Sequence, residues 1–157
     1  MPNFFCILEG ERYLGMKREE TVDYHIKSTW HAIARMYNQK AAQVEKLTAS
    51  IGFVLINISS TEGTPATKIA PLLGLESRSL TRILKNMEES GLIYRQTDHQ
   101  DKRSVKVFLT EEGQRLKGLS VQTIKEFNAL IRQELTEEEL HTFFNVFNKI
   151  NKVIESY

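Results

Sequence analysis

Arg78, Ser79, Arg82, Lys85 and Asn86 are interleaved with Leu80, Ile83, Leu84 and Met87 in the stretch "SRSLTRILKNMEES". At helical spacing the apolar set takes one side and the polar set the other. Arginine can bond both acceptors of guanine, and asparagine pairs with adenine in the same two-point way. Serine and lysine suit phosphate oxygens. A solvated amphipathic helix presents a similar polar face without touching any nucleic acid. A second stretch, "DHQDKRSVKVFLTEEG" (98–113), sets Asp98 and Asp101 beside Lys102 and Arg103. A solvated turn needs only polar residues, whereas a nucleic-acid contact needs the bases but not the acids. Both readings stay open on residue types alone.

Helices and a hairpin must hold these residues. From Lys17 a helical pattern begins, with Val22, Ile26, Trp30, Ile33, Tyr37, Ala41 and Val44 in one apolar stripe over 17–47. Thr48 is placed to cap a second helix that buries Ile51, Val54, Leu55 and Ile58. "STEGTPAT" (60–67) reads as a loop. Two helical pieces follow, "ATKIAPLLG" and "SRSLTRILKNMEES", with Gly74 as the stop between them and Pro71 inside the first. Helices joined by so short a glycine-containing turn form a helix-turn-helix. Gly91 closes the second, and Leu92 is placed for the apolar contact that accompanies such caps.

"LIYRQT" and "SVKVFLT" read as strands joined by the polar tip 98–103, a hairpin wing. Thr110 is placed to cap the next helix, with Glu111 and Glu112 in its first turn. The expected core face of that helix is Leu116, Leu119, Thr123, Phe127, Leu130 and Ile131. Thr136 and Glu139 form a capping box for a last helix striped by Leu140, Phe143, Phe144, Phe147, Ile150 and Ile154. The expected fold is mainly α with a small β-hairpin wing. It is a winged helix-turn-helix over 48–109 between long dimerisation helices over 17–47 and 110–157, in a single domain. Residues 1–16 show no period and read as an arm or short strand. The apolar stripes exceed what one small winged helix covers, so a homodimer is expected.

The 157 residues, 41% apolar and 26% charged, suit one soluble domain with its own core. "FFCIL" is too short to span a bilayer and no basic stretch precedes it, so no membrane association is expected and the cytoplasm is the expected compartment. Net charge is +1 overall, but residues 64–109 carry +3 between a neutral and an acidic flank. His25, His31, His99 and His141 lack metal-ligand spacing, and no phosphate-cradling glycine loop, "HExxH" or "GxSxG" occurs. No metal, no cofactor and no enzymatic activity are expected. The single cysteine, Cys6, sits in an apolar run and reads either as an inert buried thiol or as a redox sensor.

The stretch "TKIAPLLGLESRSLTRILKNMEESGLIYRQTDHQDKRSVKVFLTEEG" resembles the core of the MarR (multiple antibiotic resistance regulator) family of bacterial transcription factors. The resemblance lies in "LTRILKNMEESGLI", the "DKRS" wing and the "LTEEG" exit, and it extends over about 20–157. Ile51 stands where many relatives carry glutamine, Pro71 is unusual, and residues 1–16 have no counterpart. The resemblance implies a winged-helix homodimer on pseudo-palindromic double-stranded DNA, acting as a repressor released by a ligand. The DNA-binding residues expected are Ser77, Arg78, Ser79, Thr81, Arg82, Lys85, Asn86, Asp101, Lys102 and Arg103. Carried over from the family wing, Arg103 enters the minor groove and Asp101 orients its guanidinium, which explains an acid beside phosphate. Relatives bind aromatic acids between their dimer and DNA-binding parts; Tyr24, Trp30, His31 and Phe53 are the matching candidates, with core or interface packing as the other reading of each. Two other classes stay open: a winged-helix protein-interaction dimer without specific DNA, and a thiol redox sensor using Cys6.

Overall fold

A computed structural model describes residues 15, 17–74, 76–97 and 105–157. They divide into two units between Ala49 and Ser50. The arm expected over 1–16, apart from Gly15 and including Cys6, and the wing tip with Asp98, His99, Asp101, Lys102 and Arg103, lie outside the described residues.

In the first unit a 3₁₀ turn over Arg18–Glu20 precedes helix α1, Val22–Ala41. Thr21 is extended between them, at φ −96° and ψ 141°. The helix expected over 17–47 is therefore shorter at both ends, and Val44 falls outside it. At its end the Gln43 N–H donates to the Lys40 carbonyl at 3.2 Å and the Val44 N–H to that of Ala41 at 2.9 Å. Lys46 follows with φ 63°. Nothing between 41 and 47 is a glycine or proline, so local propensity alone favours continuing the helix. Of the expected stripe only Ala41 is buried, while Trp30 is 54% exposed.

Apart from Ala49 at the start of α2, the second unit holds α2 (Ala49–Ile56), β1 (Thr64–Pro65), α3 (Ala66–Leu72), α4 (Ser77–Glu89), β2 (Ile93–Thr97), β3 (Val105–Leu109), α5 (Glu111–Glu134) and α6 (Glu137–Ser156). Its core is built from Val54, Leu55, Ile58, Ile69, Leu84, Met87, Leu92, Val107 and Leu116. Ile51, Val54 and Leu55 form the buried face of α2 as their spacing predicts, and Ile58 is buried in the turn just beyond it.

Pro71 neither delays the start of α3 nor removes it. It sits in the last turn of a seven-residue helix that ends at Leu72, with Gly74 at φ +59° as the stop.

The sheet is antiparallel in the order β1-β3-β2, with Ile93 opposite Leu109 and Thr97 opposite Val105. The hairpin is where the alternation predicts it. Strand β1 is a finding, since two residues show no period. Thr64 pairs with Val107 and Pro65 with Lys106, and proline is tolerated because this is an edge strand.

Helix α5 begins as expected, with Thr110 Oγ1 accepting the Gly113 N–H at 3.0 Å. The face expected to be core is mostly not core within the chain. Leu116 and Leu140 are buried, whereas Leu130 is 60%, Phe144 52% and Ile154 65% exposed. Among the described residues these last apolar side chains of α5 and α6 stand exposed. Among the described residues no helix is long and apolar enough to cross a membrane.

The capping box of α6 forms with both reciprocal bonds. The Glu139 N–H donates to Thr136 Oγ1 at 3.2 Å, and Glu139 Oε2 accepts from the Thr136 N–H at 2.8 Å. The backbone and hydroxyl bonds from Thr136 hold the Glu139 carboxyl below its usual range. A lowered carboxylate pKa stabilises the fold above the unfolded-state value, and that contribution is lost as pH falls through the folded-state value. Glu139→Gln should therefore flatten the acid limb of a plot of thermal midpoint against pH, with little change in its shape at neutral pH. An acid limb identical to that of the parent protein would mean the box contributes nothing to pH dependence.

Candidate nucleic-acid interface

Helix α4 owes its sharp end to Gly91 at φ +73°, a conformation that side chains with a Cβ resist. Here the Leu92 N–H donates to the Met87 carbonyl at 2.8 Å and the Gly91 N–H to that of Glu88 at 3.0 Å. This is the paired capping pattern of a Schellman motif, and both Leu92 and Met87 are fully buried beneath it. Burial of Leu80, Leu84 and Met87 fixes the rotation of α4 about its axis. Arg78, Thr81, Arg82, Lys85 and Asn86 then all face out, exposed, while Ser79 is half-buried at the flank and Ser77 is exposed at the first turn.

Some of that face is already engaged locally. Thr81 Oγ1 donates to the Ser77 carbonyl at 2.8 Å, Ser90 Oγ donates to Asn86 Oδ1 at 3.2 Å, and Lys85 lies 3.7 Å from Glu89. These are exposed contacts of modest strength that a stronger partner displaces at little cost. Among the described residues no hydrogen bond or ion pair engages Arg78 or Arg82. Two exposed guanidinium groups one helical turn apart thus stand ready for bidentate acceptors.

The base of the wing is tied to the end of α4 by the residues of the "LTEEG" exit. Thr110 Oγ1 donates to the Gly91 carbonyl at 2.7 Å while accepting from Gly113, and the Thr110 N–H donates to the Leu92 carbonyl at 3.1 Å. Gly113 lies against the same carbonyl so closely that an added Cβ would overlap its oxygen. The motif therefore has a physical reason: one threonine and one glycine let the first turn of α5 seat on the Gly91–Leu92 corner. Sequence reasoning also missed Arg95, whose Nε lies 3.2 Å from Glu88 Oε2 across that corner. The only signal in the sequence was opposite charge seven residues apart, which is uninformative without the fold.

Three of the four effector candidates lie on α1, where they do not all share one side. Tyr24 and His31 share a side of α1, while Trp30 lies with the apolar stripe of Ile26, Ile33 and Tyr37. Tyr24 is half-buried under the Arg18 guanidinium, 4.8 Å from its ring centre. Phe53 belongs to α2, in the other unit. Among the described residues no group of His, Cys, Asp or Glu is gathered that could hold a metal ion.

An outward basic helix face followed by an antiparallel wing is the architecture of winged helix-turn-helix proteins. Residues 47–105 match the model of the MarR family. A relative from Methylorubrum extorquens (strain PA1), described as the HTH-type transcriptional regulator TtmR, is 40% identical over 88 residues, which are 56% of this chain and 45% of that protein. The chain thus matches under half the length of that relative. The S. aureus MepR–DNA complex has a TM-score of 0.77 at 25% identity, covering 85% of this chain and 98% of that one. Streptococcus pneumoniae FabT in complex with DNA has the same fold, with a TM-score of 0.74 at 18% identity over 86% and 96% of the two chains. The family and its relatives are transcriptional regulators, not enzymes.

Proposed function

We propose that this protein is a transcriptional regulator that binds a pseudo-palindromic double-stranded DNA operator as a homodimer, in the cytoplasm, and acts as a repressor released by a small aromatic ligand. The observation that carries the reading is the exposed face of α4, where Arg78 and Arg82 are unengaged beside Thr81, Lys85 and Asn86. In support, MepR and FabT, two proteins of the same fold, were solved bound to DNA. In this reading Arg82 and Asn86 read base edges, Ser77, Ser79 and Lys85 hold phosphates, and Lys102 and Arg103 act from the wing. Tyr24, Trp30, His31 and Phe53 remain the residues proposed to meet the ligand.

Selecting bound fragments from a random duplex pool tests DNA binding, two-fold symmetry and half-site spacing together. The expected product is a pseudo-palindrome with half-sites about 10 bp apart, one helical turn. Arg82→Ala or Asn86→Ala should then relax preference at particular positions, at about 1–3 kcal/mol each. Equal losses on selected and random duplexes would make them phosphate contacts. Enrichment of no sequence at all would favour a protein-interaction module instead.

The homodimer rests on the uncovered stripes of α1, α5 and α6. Sedimentation at micromolar concentration should show one species of twice the chain mass. A stable folded monomer would rule the dimer out.

A further inference from the structure

The corner between α4 and β2 is only three residues long, Ser90 to Leu92, and the wing turns on it. We propose that the Glu88–Arg95 ion pair is a positioning device that sets the angle of the wing to α4 for DNA binding. The proposal rests on the DNA-binding reading above.

Three structural features converge on it. First, Arg95 lies on the same face of β2 as buried Ile93, opposite buried Val107, yet is itself exposed. A core-facing strand position normally takes an apolar residue. Arg95 instead leans out toward α4 and reaches Glu88 at 3.2 Å. Second, Glu88 sits on the flank of α4, between its buried face and its outward basic face. An acid there repels phosphate, and pairing with Arg95 removes that cost.

Third, the opposite face of the wing is already fixed. Tyr94 and Phe108 stack across the strands with ring centres 5.3 Å apart, and a Cβ on Gly63 would meet the Phe108 ring at 2.7 Å. The sheet is thus held on its outer face by aromatic packing and at its exit by Thr110. On the inner face, toward α4, the ion pair is a polar link across the corner among the described residues. The lever makes small rotations matter: a strand rises about 3.3 Å per residue, so a rotation of about 10° at Ile93 moves Thr97 by roughly 2 Å. A displacement of that size exceeds the distance range over which a hydrogen bond to DNA holds. Both side chains are partly exposed, 33% for Arg95 and 42% for Glu88, so the pair contributes little to stability. Its effect should appear in binding.

The test uses the full-length protein and the duplex that it selects from the random pool. Failure of the parent protein to select any duplex would overturn the DNA-binding reading itself, and the positioning role with it. With a parent protein that binds, Glu88→Gln should weaken binding about tenfold although it removes a negative charge near phosphate. Arg95→Gln should weaken it similarly, the double variant no further, and the exchange Glu88→Arg with Arg95→Glu should restore most of the affinity. Thermal midpoints should stay close to the parent value throughout, which separates positioning from a fold defect. Tighter or unchanged binding by Glu88→Gln would overturn the proposal. So would an exchange variant as weak as Arg95→Gln, with a salt dependence reduced by about one ion, because Arg95 would then be a direct phosphate contact.

Discussion

Gly113→Ala should be among the most destabilising single-methyl changes that this protein can undergo. The added Cβ would overlap the Leu92 carbonyl oxygen, and the obstacle is backbone rather than a flexible side-chain end. That oxygen also accepts the Thr110 N–H, and Leu92 is fully buried. Relief therefore requires moving the first turn of α5 off the corner, at the expense of the Thr110 bond and the packing of Leu116 behind it. Overpacking of this kind costs about 1–3 kcal/mol and more where backbone must shift. At the upper end the thermal midpoint should fall by roughly 6–12 °C for a chain of this size. Gly118→Ala is the internal control. It lies in the same helix with nothing within 4 Å of an added methyl group, so it should gain about 0.5–1 kcal/mol from helix propensity alone. Equal midpoints for the two variants would show that Gly113 is not a close-approach position.

Operator binding should collapse in Arg103→Ala by roughly 10- to 100-fold, with preference at the positions read by α4 largely retained. This follows if Arg103 enters a narrow minor groove and responds to its negative potential rather than to a base-edge pattern. Arg103→Lys should recover only part of the loss, because a compact ammonium lacks the planar donor fork that Asp101 is proposed to orient. Asp101→Ala separates the two explanations for an acid at the tip. A solvated turn predicts slightly tighter binding once a negative charge near phosphate is removed. An orienting role predicts weaker binding despite the gain in net positive charge, and non-additivity with Arg103→Ala in a double-mutant cycle. Both residues lie outside the described ones, and their proposed roles rest on charge pattern and family resemblance. Tighter binding by Asp101→Ala, with dimer and fold intact, would end the orienting role.

What could be read from the sequence is what short-range physics decides. The ends of α4, α5 and α6 were legible because Gly91, Thr110 and the Thr136–Glu139 box act over four or five residues of chain. The hairpin strands and the outward face of α4 were legible for the same reason, since period and rotation are local consequences of which residues are apolar. Tertiary structure decided the rest. Helix α1 stops at Ala41 although nothing local stops it, and Pro65 joins a sheet because β3 presents an open edge to it. Glycine at 113 could be recognised as part of a motif, but its purpose appears only when Leu92, twenty-one residues earlier, comes against it. Periodicity likewise told which residues of α5 and α6 share a face, but not that Leu116 and Leu140 would be buried while Leu130 and Ile154 stay exposed. Burial depends on what arrives from elsewhere in the chain or from another molecule, and no local pattern carries that information.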